Sequence, residues 1–133
     1  MAEPDRTFHL SVITPEASVL GLDVRAASFT AHDGEIGIRP QRAPLVCKLG
    51  IGSLRYTTKE GVFRLFIDGG VAQVVHDEVI VLTQNAIRAD AIDRQGAEQE
   101  LTDARAAKIT DDASFVARQE AIRRAKTKIT LAT

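Results

Sequence analysis

Residues 62–82 read VFRLFIDGGVAQVVHDEVIVL, and this stretch decides the fold class. It holds three short apolar runs, at residues 62–67, 71–75 and 79–82, which are rich in the β-branched side chains that suit a pleated sheet. Turn-forming pairs separate the runs, Gly69-Gly70 after the first and His76-Asp77 after the second. The stretch therefore predicts three β-strands that are joined by tight turns.

The same pattern extends toward the N-terminus. From about residue 7 to residue 84, alternating apolar positions such as Phe8, Leu10 and Val12 recur between turn signals. Those signals are Pro15, Gly21, Asp33-Gly34, Pro40, Pro44, Gly50, Gly52 and Glu60-Gly61. Many short strands at this spacing are typical of a sandwich or a barrel, and we expect an all-β sandwich over residues 1–85.

Beyond about residue 90 the apolar period lengthens to that of an α-helix. Ala97, Leu101 and Ala104 share one face of a first helix, which Asp90 or Asp93 would cap. Thr110-Asp111-Asp112 suits the start of a second helix with one narrow apolar stripe: Phe115, Ile122, Ala125 and Ile129. We therefore expect a two-helix antiparallel hairpin over residues 89–133. Its small stripes predict only marginal docking on the sandwich.

Composition excludes several classes of function. The formal net charge of −1, one Tyr and no Trp give little basis for nucleic-acid binding. No apolar run reaches about 18 residues and the first residues lack a signal-peptide pattern, so we expect no membrane insertion. If the protein works at a membrane, a partner must hold it there.

Side chains with reactive chemistry are few and scattered. The lone Cys47 lies in an apolar run, and we interpret it as a small core side chain rather than a nucleophile. His9, His32 and His76 have no metal-ligand spacing, and Asp33 and Glu35 flank a turn glycine. Motifs for phosphate binding, zinc and nucleophilic catalysis are absent. The sequence predicts no catalytic, metal or cofactor site.

Residues 34–45, GEIGIRPQRAPL, resemble the most recognisable motif of the epsilon subunits of F-type ATP synthase. Other family features follow in the right order along nearly the whole chain. These are Thr14-Pro15-Glu16, GSLR at 52–55, FIDGGV at 66–71, VIVL at 79–82, Ala86-Ile87-Arg88, Ile92-Asp93 and Arg124-Ala125. Departures are Gln41-Arg42, where the family often has Gly-His, and Lys128, where an arginine is common.

The resemblance implies a non-catalytic rotor subunit of the central stalk of a proton-translocating ATP synthase. It implies gamma as the main partner, the membrane rotor ring as the second, and catalytic subunits reached through the C-terminal helices. The chain would then sit peripherally on the cytoplasmic face of the energy-coupling membrane, held by these subunits. The motif's loop faces the ring in that family. The ring-contact candidates here are Glu35, Ile36, Gly37, Ile38 and Arg42, although core packing explains Ile36 and Ile38 equally well.

The resemblance also gives the C-terminal helices a regulatory role. Family members fold the hairpin against the sandwich or extend it toward the catalytic head, where it inhibits ATP hydrolysis. The basic side chains expected to meet acidic catalytic-subunit loops are Arg118, Arg123, Arg124, Lys126 and Lys128. The alternative is a solvated helix face that complements the helix dipole.

Some family members bind ATP at a motif of the form I/L-D-x-x-R-A. The corresponding residues are Ile92, Asp93 and Ala97, with Gly96 in place of the motif arginine. Loss of that guanidinium removes a bidentate partner for phosphate or base, so we expect weak or absent ATP binding and no cofactor.

Two other classes compete with the rotor interpretation. One is a stand-alone β-sandwich binding module whose helical hairpin covers the sheet. The other is a small enzyme with an unrecognised site, which the missing motifs disfavour.

Overall fold

A computed structural model describes residues 6–132, which form eight strands, a short 3-10 helix and two α-helices. The strands are β1 (Phe8–Ile13), β2 (Ser18–Val24), β3 (Ala26–Ala31), β4 (Gly34–Ile38), β5 (Leu45–Thr58), β6 (Gly61–Val75), β7 (Glu78–Leu82) and β8 (Ala86–Arg88). The 3-10 helix is Ala89–Ala91, and the α-helices are α1 (Arg94–Ala106) and α2 (Asp112–Leu131). In this described part of the chain no helix is long and apolar enough to cross a membrane.

The strands form one continuous sheet that folds into a sandwich. Their order is β2-β1-β7-β6-β5-β3-β4, and β8 pairs with β6. β1 and β7 are parallel, and the other pairs are antiparallel. The long strands β5 and β6 serve both layers. Layer one contains β2, β1 and β7, together with the ends of β5 and β6 that pair at Leu45↔Val74. Layer two contains β4, β3 and β8, together with the opposite ends of β5 and β6, which pair at Tyr56↔Phe63.

Glycines bend these long strands where the sequence predicted turns. The turns expected at Gly50, Gly52 and Gly69-Gly70 are wrong, because residues 45–58 and 61–75 are each one strand. Gly69 and Gly70 have φ values of 68° and 113°, a region that side chains disfavour. The chain therefore changes direction without reversing, and the β5–β6 ladder passes from one layer to the other.

Inward-facing alternate positions of both layers form the core. The apolar positions predicted on β1 are buried, with Leu10 and Val12 at 0% exposure. They pack with Phe29, Leu54 and Val81 in one cluster. This alternation is what a half-buried strand requires, and it confirms the sandwich that the sequence predicted.

The C-terminal residues form the expected helical hairpin. Asp93 is the N-cap residue of α1, although its side chain accepts no capping hydrogen bond. Asp111 caps α2 through a reciprocal capping box with Ser114. The sequence patterns did not predict β8, which lies between the two expected units and ends six residues before α1 begins.

The helices bury the smaller side chains that the periodicity selected. Ala97 and Ala104 on α1 are 2% and 7% exposed, and Ala125 on α2 is fully buried. The predicted stripe on α2 is wrong at Phe115, which is 47% exposed. Phe115 lies in the first turns of α2, whereas the bonds between α2 and the sheet come from its second half.

Candidate functional site

The hairpin docks on the outer face of β6 in layer two. Phe66 and Asp68 are two residues apart on this strand, so both side chains point away from the core. Phe66 is 0% exposed although it faces outward, and it lies outside the core cluster. The hairpin therefore supplies the cover for Phe66, since α2 packs against both β5 and β6.

Arg124 joins the hairpin to the sandwich by a charge-assisted contact. Its Nε donates to both carboxylate oxygens of Asp68 at 3.0 Å. The Asp68 side chain is 19% exposed and that of Arg124 is 37% exposed. Hydrogen bonds to charged groups contribute about 1.5–3 kcal/mol when sheltered, and partial exposure reduces that value here.

Lys128 lies one helical turn beyond Arg124 and makes the second contact. Its Nζ is 5.1 Å from the centre of the Phe66 ring, within the range of a cation–π interaction. The same Nζ donates to both carboxylate oxygens of Glu100 on α1 at 3.2 Å. Lys128 therefore ties the two helices to each other and to the sheet.

The spacing of these four side chains fixes the register in which α2 docks on β6. Residues i and i+2 on a strand are about 6.6–6.8 Å apart, and residues i and i+4 on a helix rise about 6 Å. Asp68 and Phe66 therefore match Arg124 and Lys128 one to one, with α2 antiparallel to β6. We call these four residues the latch. Sequence analysis missed it, because its halves are 56 residues apart in the chain.

The five basic side chains expected on one regulatory face point in different directions. Arg124 and Lys128 belong to the latch, and Arg118 donates to the carbonyl oxygen of Arg105 at 3.0 Å. Arg123 and Lys126 are exposed. In the docked conformation, two of the five are therefore fully presented to a partner.

The remnant of the ATP motif lies at the start of α1. Ile92 is partly buried and Ala97 packs inward. A Cβ at Gly96 would lie 2.7 Å from Asp93 Oδ2, so the Asp93 carboxylate leans over the position that the motif arginine would occupy. The nearby Arg94 pairs with Glu98 on the same helix at 3.1 Å.

The ring-contact candidates separate into buried and exposed positions on β4, an edge strand of the sheet, and in the loop that follows it. Ile38 is 1% exposed in the core, and Ile36 packs partly buried against it. Core packing therefore occupies Ile38 fully in this conformation, whereas Ile36 remains partly accessible beside Glu35 and Gly37. Glu35, Gly37 and Arg42 are exposed, and Glu35 accepts a hydrogen bond from the Thr30 hydroxyl at 3.0 Å.

The loop after β4 keeps a glycine-like geometry although it lacks the glycine. Gln41 has φ 67°, in the left-handed region. Its backbone N–H donates to Asp77 Oδ1 at 2.6 Å, which fixes the loop against the turn between β6 and β7. The departure from the family pattern at Gln41 is therefore accommodated by this conformation.

An apolar row crosses the outer face of layer one, on the other side of the sandwich from the latch. Ile13 pairs with Leu82, and Leu82 pairs with Val71, so the three lie side by side on neighbouring strands. They are 36%, 52% and 41% exposed. Adjacent exposed apolar residues on a sheet are typical of a protein–protein contact. Sequence analysis missed this row because strand pairing, not the local pattern, brings it together.

Cys47 shows no sign of a reactive thiol. It packs half-buried against the core cluster, and burial raises the pKa of its thiol above the ordinary value. A hydrogen bond with the backbone of Ala72 opposes that rise, and the nearby Asp33 carboxylate adds to it. The thiol therefore carries little thiolate at neutral pH.

Comparison with known proteins gives one consistent family. The profile of the β-sandwich domain of the ATP synthase delta/epsilon chain matches residues 7–89. The ATP synthase epsilon chain of Rhodopirellula baltica is 42% identical over 93 residues, which cover 70% of this chain and 73% of the relative. That of Nitratidesulfovibrio vulgaris is 32% identical over 123 residues, covering 91% and 92%. The chloroplast epsilon chain of Cucumis sativus is also 32% identical, covering 92% and 93%.

Solved structures share the fold at lower identity. A chain in the Euglena gracilis mitochondrial ATP synthase, solved as OSCP/F1/c-ring, superposes with a TM-score of 0.81 at 22% identity. That match covers 95% of this chain and 81% of the other. A chain in the central stalk/c-ring structure of the Tetrahymena thermophila enzyme gives 0.71 at 12% identity, covering 98% and 100%. At these identities the likeness extends to the fold alone.

Proposed function

This chain belongs to the delta/epsilon chain family of F-type ATP synthase, as an epsilon subunit, and we propose that it couples the catalytic head to the proton-translocating membrane ring. In this proposal it is a rotor element of the central stalk with no active site of its own. Its partners hold it peripherally on the cytoplasmic face of the membrane. Family membership disfavours the stand-alone binding module and the small enzyme.

The apolar row is the proposed docking surface for the gamma subunit. Ile13, Leu82 and Val71 present a flat apolar strip that water covers in the isolated chain. Burial of apolar surface contributes about 25 cal/mol for each Å² removed from water. This gain would stabilise the contact with gamma in a rotor that must transmit torque. The row lies on layer one, so gamma would dock without displacing the hairpin from layer two.

A charge inserted in the apolar row tests gamma docking. We expect Leu82→Asp to weaken binding of the purified gamma subunit about tenfold or more, because a carboxylate would be buried without a partner. Val62→Asp is the matched control, since Val62 is 53% exposed on the other layer. Equal affinity of wild type and Leu82→Asp in calorimetry would exclude the row as the gamma surface.

The exposed part of β4 and its loop is the proposed contact with the membrane ring. Glu35 and Arg42 are both exposed there, beside the bare backbone of Gly37. Opposite charges on this short segment would favour one register against the polar loops of a ring, and such pairs contribute more to specificity than to affinity.

The hairpin is the proposed inhibitory arm, and the latch is the single observation that supports it best. Two polar contacts and small apolar side chains hold α2 on the sheet, which allows a docked and a released state. Release would free Arg124 and Lys128, so that all five basic side chains could meet acidic loops of catalytic subunits. We expect ATP to bind weakly or not at all, because Gly96 stands in place of the motif arginine, so ATP would contribute little to this switch.

Truncation separates coupling from inhibition. The catalytic head lacking this subunit is titrated with the full chain and with a chain that ends at Arg88, and ATP hydrolysis is measured. We expect both to bind and the full chain alone to slow hydrolysis. Equal rates with both bound would make the helices purely structural. The same truncation tests the proposed units, since residues 1–85 should fold without residues 89–133.

A further inference from the structure

A row of arginines on the uncovered part of layer two has no function in the proposed rotor. Arg55 on β5 and Arg64 on β6 are directly opposite each other in the antiparallel ladder. Both are exposed, and both side chains lie on the outer face, because Leu54 and Leu65 beside them face the core. Like charges at directly paired positions destabilise a sheet, so the fold itself gains nothing from this arrangement.

Among residues 6–132, no acidic side chain pairs with the two guanidinium groups. Within residues 6–132 neither forms an ion pair or a hydrogen bond. Glu60 and Asp90 line the same depression as Arg64, but the Glu60 carboxylate accepts a hydrogen bond from the Thr58 hydroxyl at 3.1 Å, and the Glu60 backbone N–H donates to that hydroxyl. The positive charge is therefore available to a molecule outside this chain.

Small residues continue the row and leave room beside the arginines. Ser28 pairs with Arg55 on one side and with Gly37 on the other, so the row runs across four strands. Arg39 lies two residues beyond Gly37 and lines the same trough of about 300 Å³ as Ser28 and Arg55. None of the residues that line this trough is acidic.

We propose that this trough, together with Arg64 beside it on β6, binds an acidic segment of a partner polypeptide, one that presents carboxylates to Arg39, Arg55 and Arg64. The guanidinium fork matches a carboxylate bidentately. The residues that line the trough belong to or directly follow three neighbouring strands, β3, β4 and β5, and this span fits a chain segment better than a compact phosphate. Gly37 and Ser28 leave space for the partner's backbone to approach the sheet.

Paired substitutions test the trough directly in the full chain. A fluorescent decapeptide of glutamate serves as the probe, with binding followed by anisotropy at low salt. We expect Arg55→Gln/Arg64→Gln to raise the Kd tenfold or more. The control Arg105→Gln/Lys108→Gln removes the same charge from exposed positions of the hairpin that have no part in the proposed function, and we expect a change of less than twofold.

Three outcomes would overturn the proposal. The first is no binding of the peptide by the wild-type chain, and the second is an equal loss in both double variants, which would indicate a general charge effect. The third is tighter binding of inositol hexakisphosphate or of vesicles rich in anionic phospholipid than of the peptide, which would indicate a phosphate site.

Thermal unfolding adds a second readout. We expect Arg55→Gln/Arg64→Gln to melt at the same or a higher temperature, and a marked decrease would mean that the arginines serve the fold.

Discussion

Single glycines decide how the two layers connect. At Gly70 a Cβ would overlap the carbonyl oxygen of Leu82 on the neighbouring strand, and φ is 113°. Only glycine avoids both problems, so this position fixes where β6 passes from one layer to the other. The pair Gly69-Gly70 predicts a turn, because the sequence does not distinguish a bend within a strand from a reversal between strands.

We expect Gly70→Ala to lower the free energy of unfolding by at least about 2 kcal/mol, since the backbone must shift and stays strained. Denaturant unfolding of the isolated chain measures this. Gly37→Ala is the control, because a Cβ there meets nothing within 4 Å and the residue is exposed. Similar stability of the two variants would show that the bend tolerates a side chain.

The left-handed Gln41 supplies a prediction of the opposite sign. Gln41→Gly should raise the free energy of unfolding by about 0.5–1 kcal/mol, because glycine relieves the strain at φ 67° at a smaller entropic cost. Gln41→Ala keeps the strain and should bring no gain. A loss of stability in Gln41→Gly would mean that the glutamine side chain supports the loop.

Among the secondary-structure elements, α2 has the best-defined start. The Asp111 carboxylate accepts a hydrogen bond from the Ser114 backbone N–H at 2.8 Å, and the Ser114 hydroxyl accepts one from the Asp111 N–H at 3.0 Å. The bonds from Ser114 hold the pKa of Asp111 below its ordinary value. A carboxyl whose pKa is lowered on folding stabilises the helix above its unfolded pKa, and this stabilisation is lost as pH falls through its folded pKa.

We therefore expect the helical circular dichroism signal of α2 to weaken as pH falls below about 4, the ordinary pKa of an aspartate. Asp111→Asn should lose less signal over the same range, because an asparagine cap accepts the same hydrogen bond without titrating. If both proteins lose helicity in parallel, other carboxyl groups control the acid response.

The sequence predicted elements more reliably than the contacts between them. The alternation on β1 and the helix start at Thr110-Asp111-Asp112 are local patterns, and both are confirmed. The latch joins residues 56 positions apart, and the apolar row depends on which strands pair. The prediction that Phe115 lies on the buried stripe of α2 is wrong for the same reason. A helical stripe shows which residues share a face but not how far the neighbouring sheet extends.

In the whole molecule, the two faces of the sandwich carry different features. Layer one presents the apolar row proposed for gamma, and layer two carries the hairpin and its latch. Under the proposed function, a subunit arranged in this way would stay bound to the rotor while its arm docks or releases. The central claim is that the latch sets the balance between these two states.

ATP hydrolysis at saturating amounts of subunit tests this claim most directly. The catalytic head is assayed with wild type, with Asp68→Ala, and with Glu98→Ala, which removes an exposed ion pair within α1. Loss of the latch contact should cost about 1 kcal/mol and shift the equilibrium toward the released arm about fivefold. We predict stronger inhibition by Asp68→Ala than by wild type, with Glu98→Ala unchanged. Equal or weaker inhibition by Asp68→Ala would contradict the account.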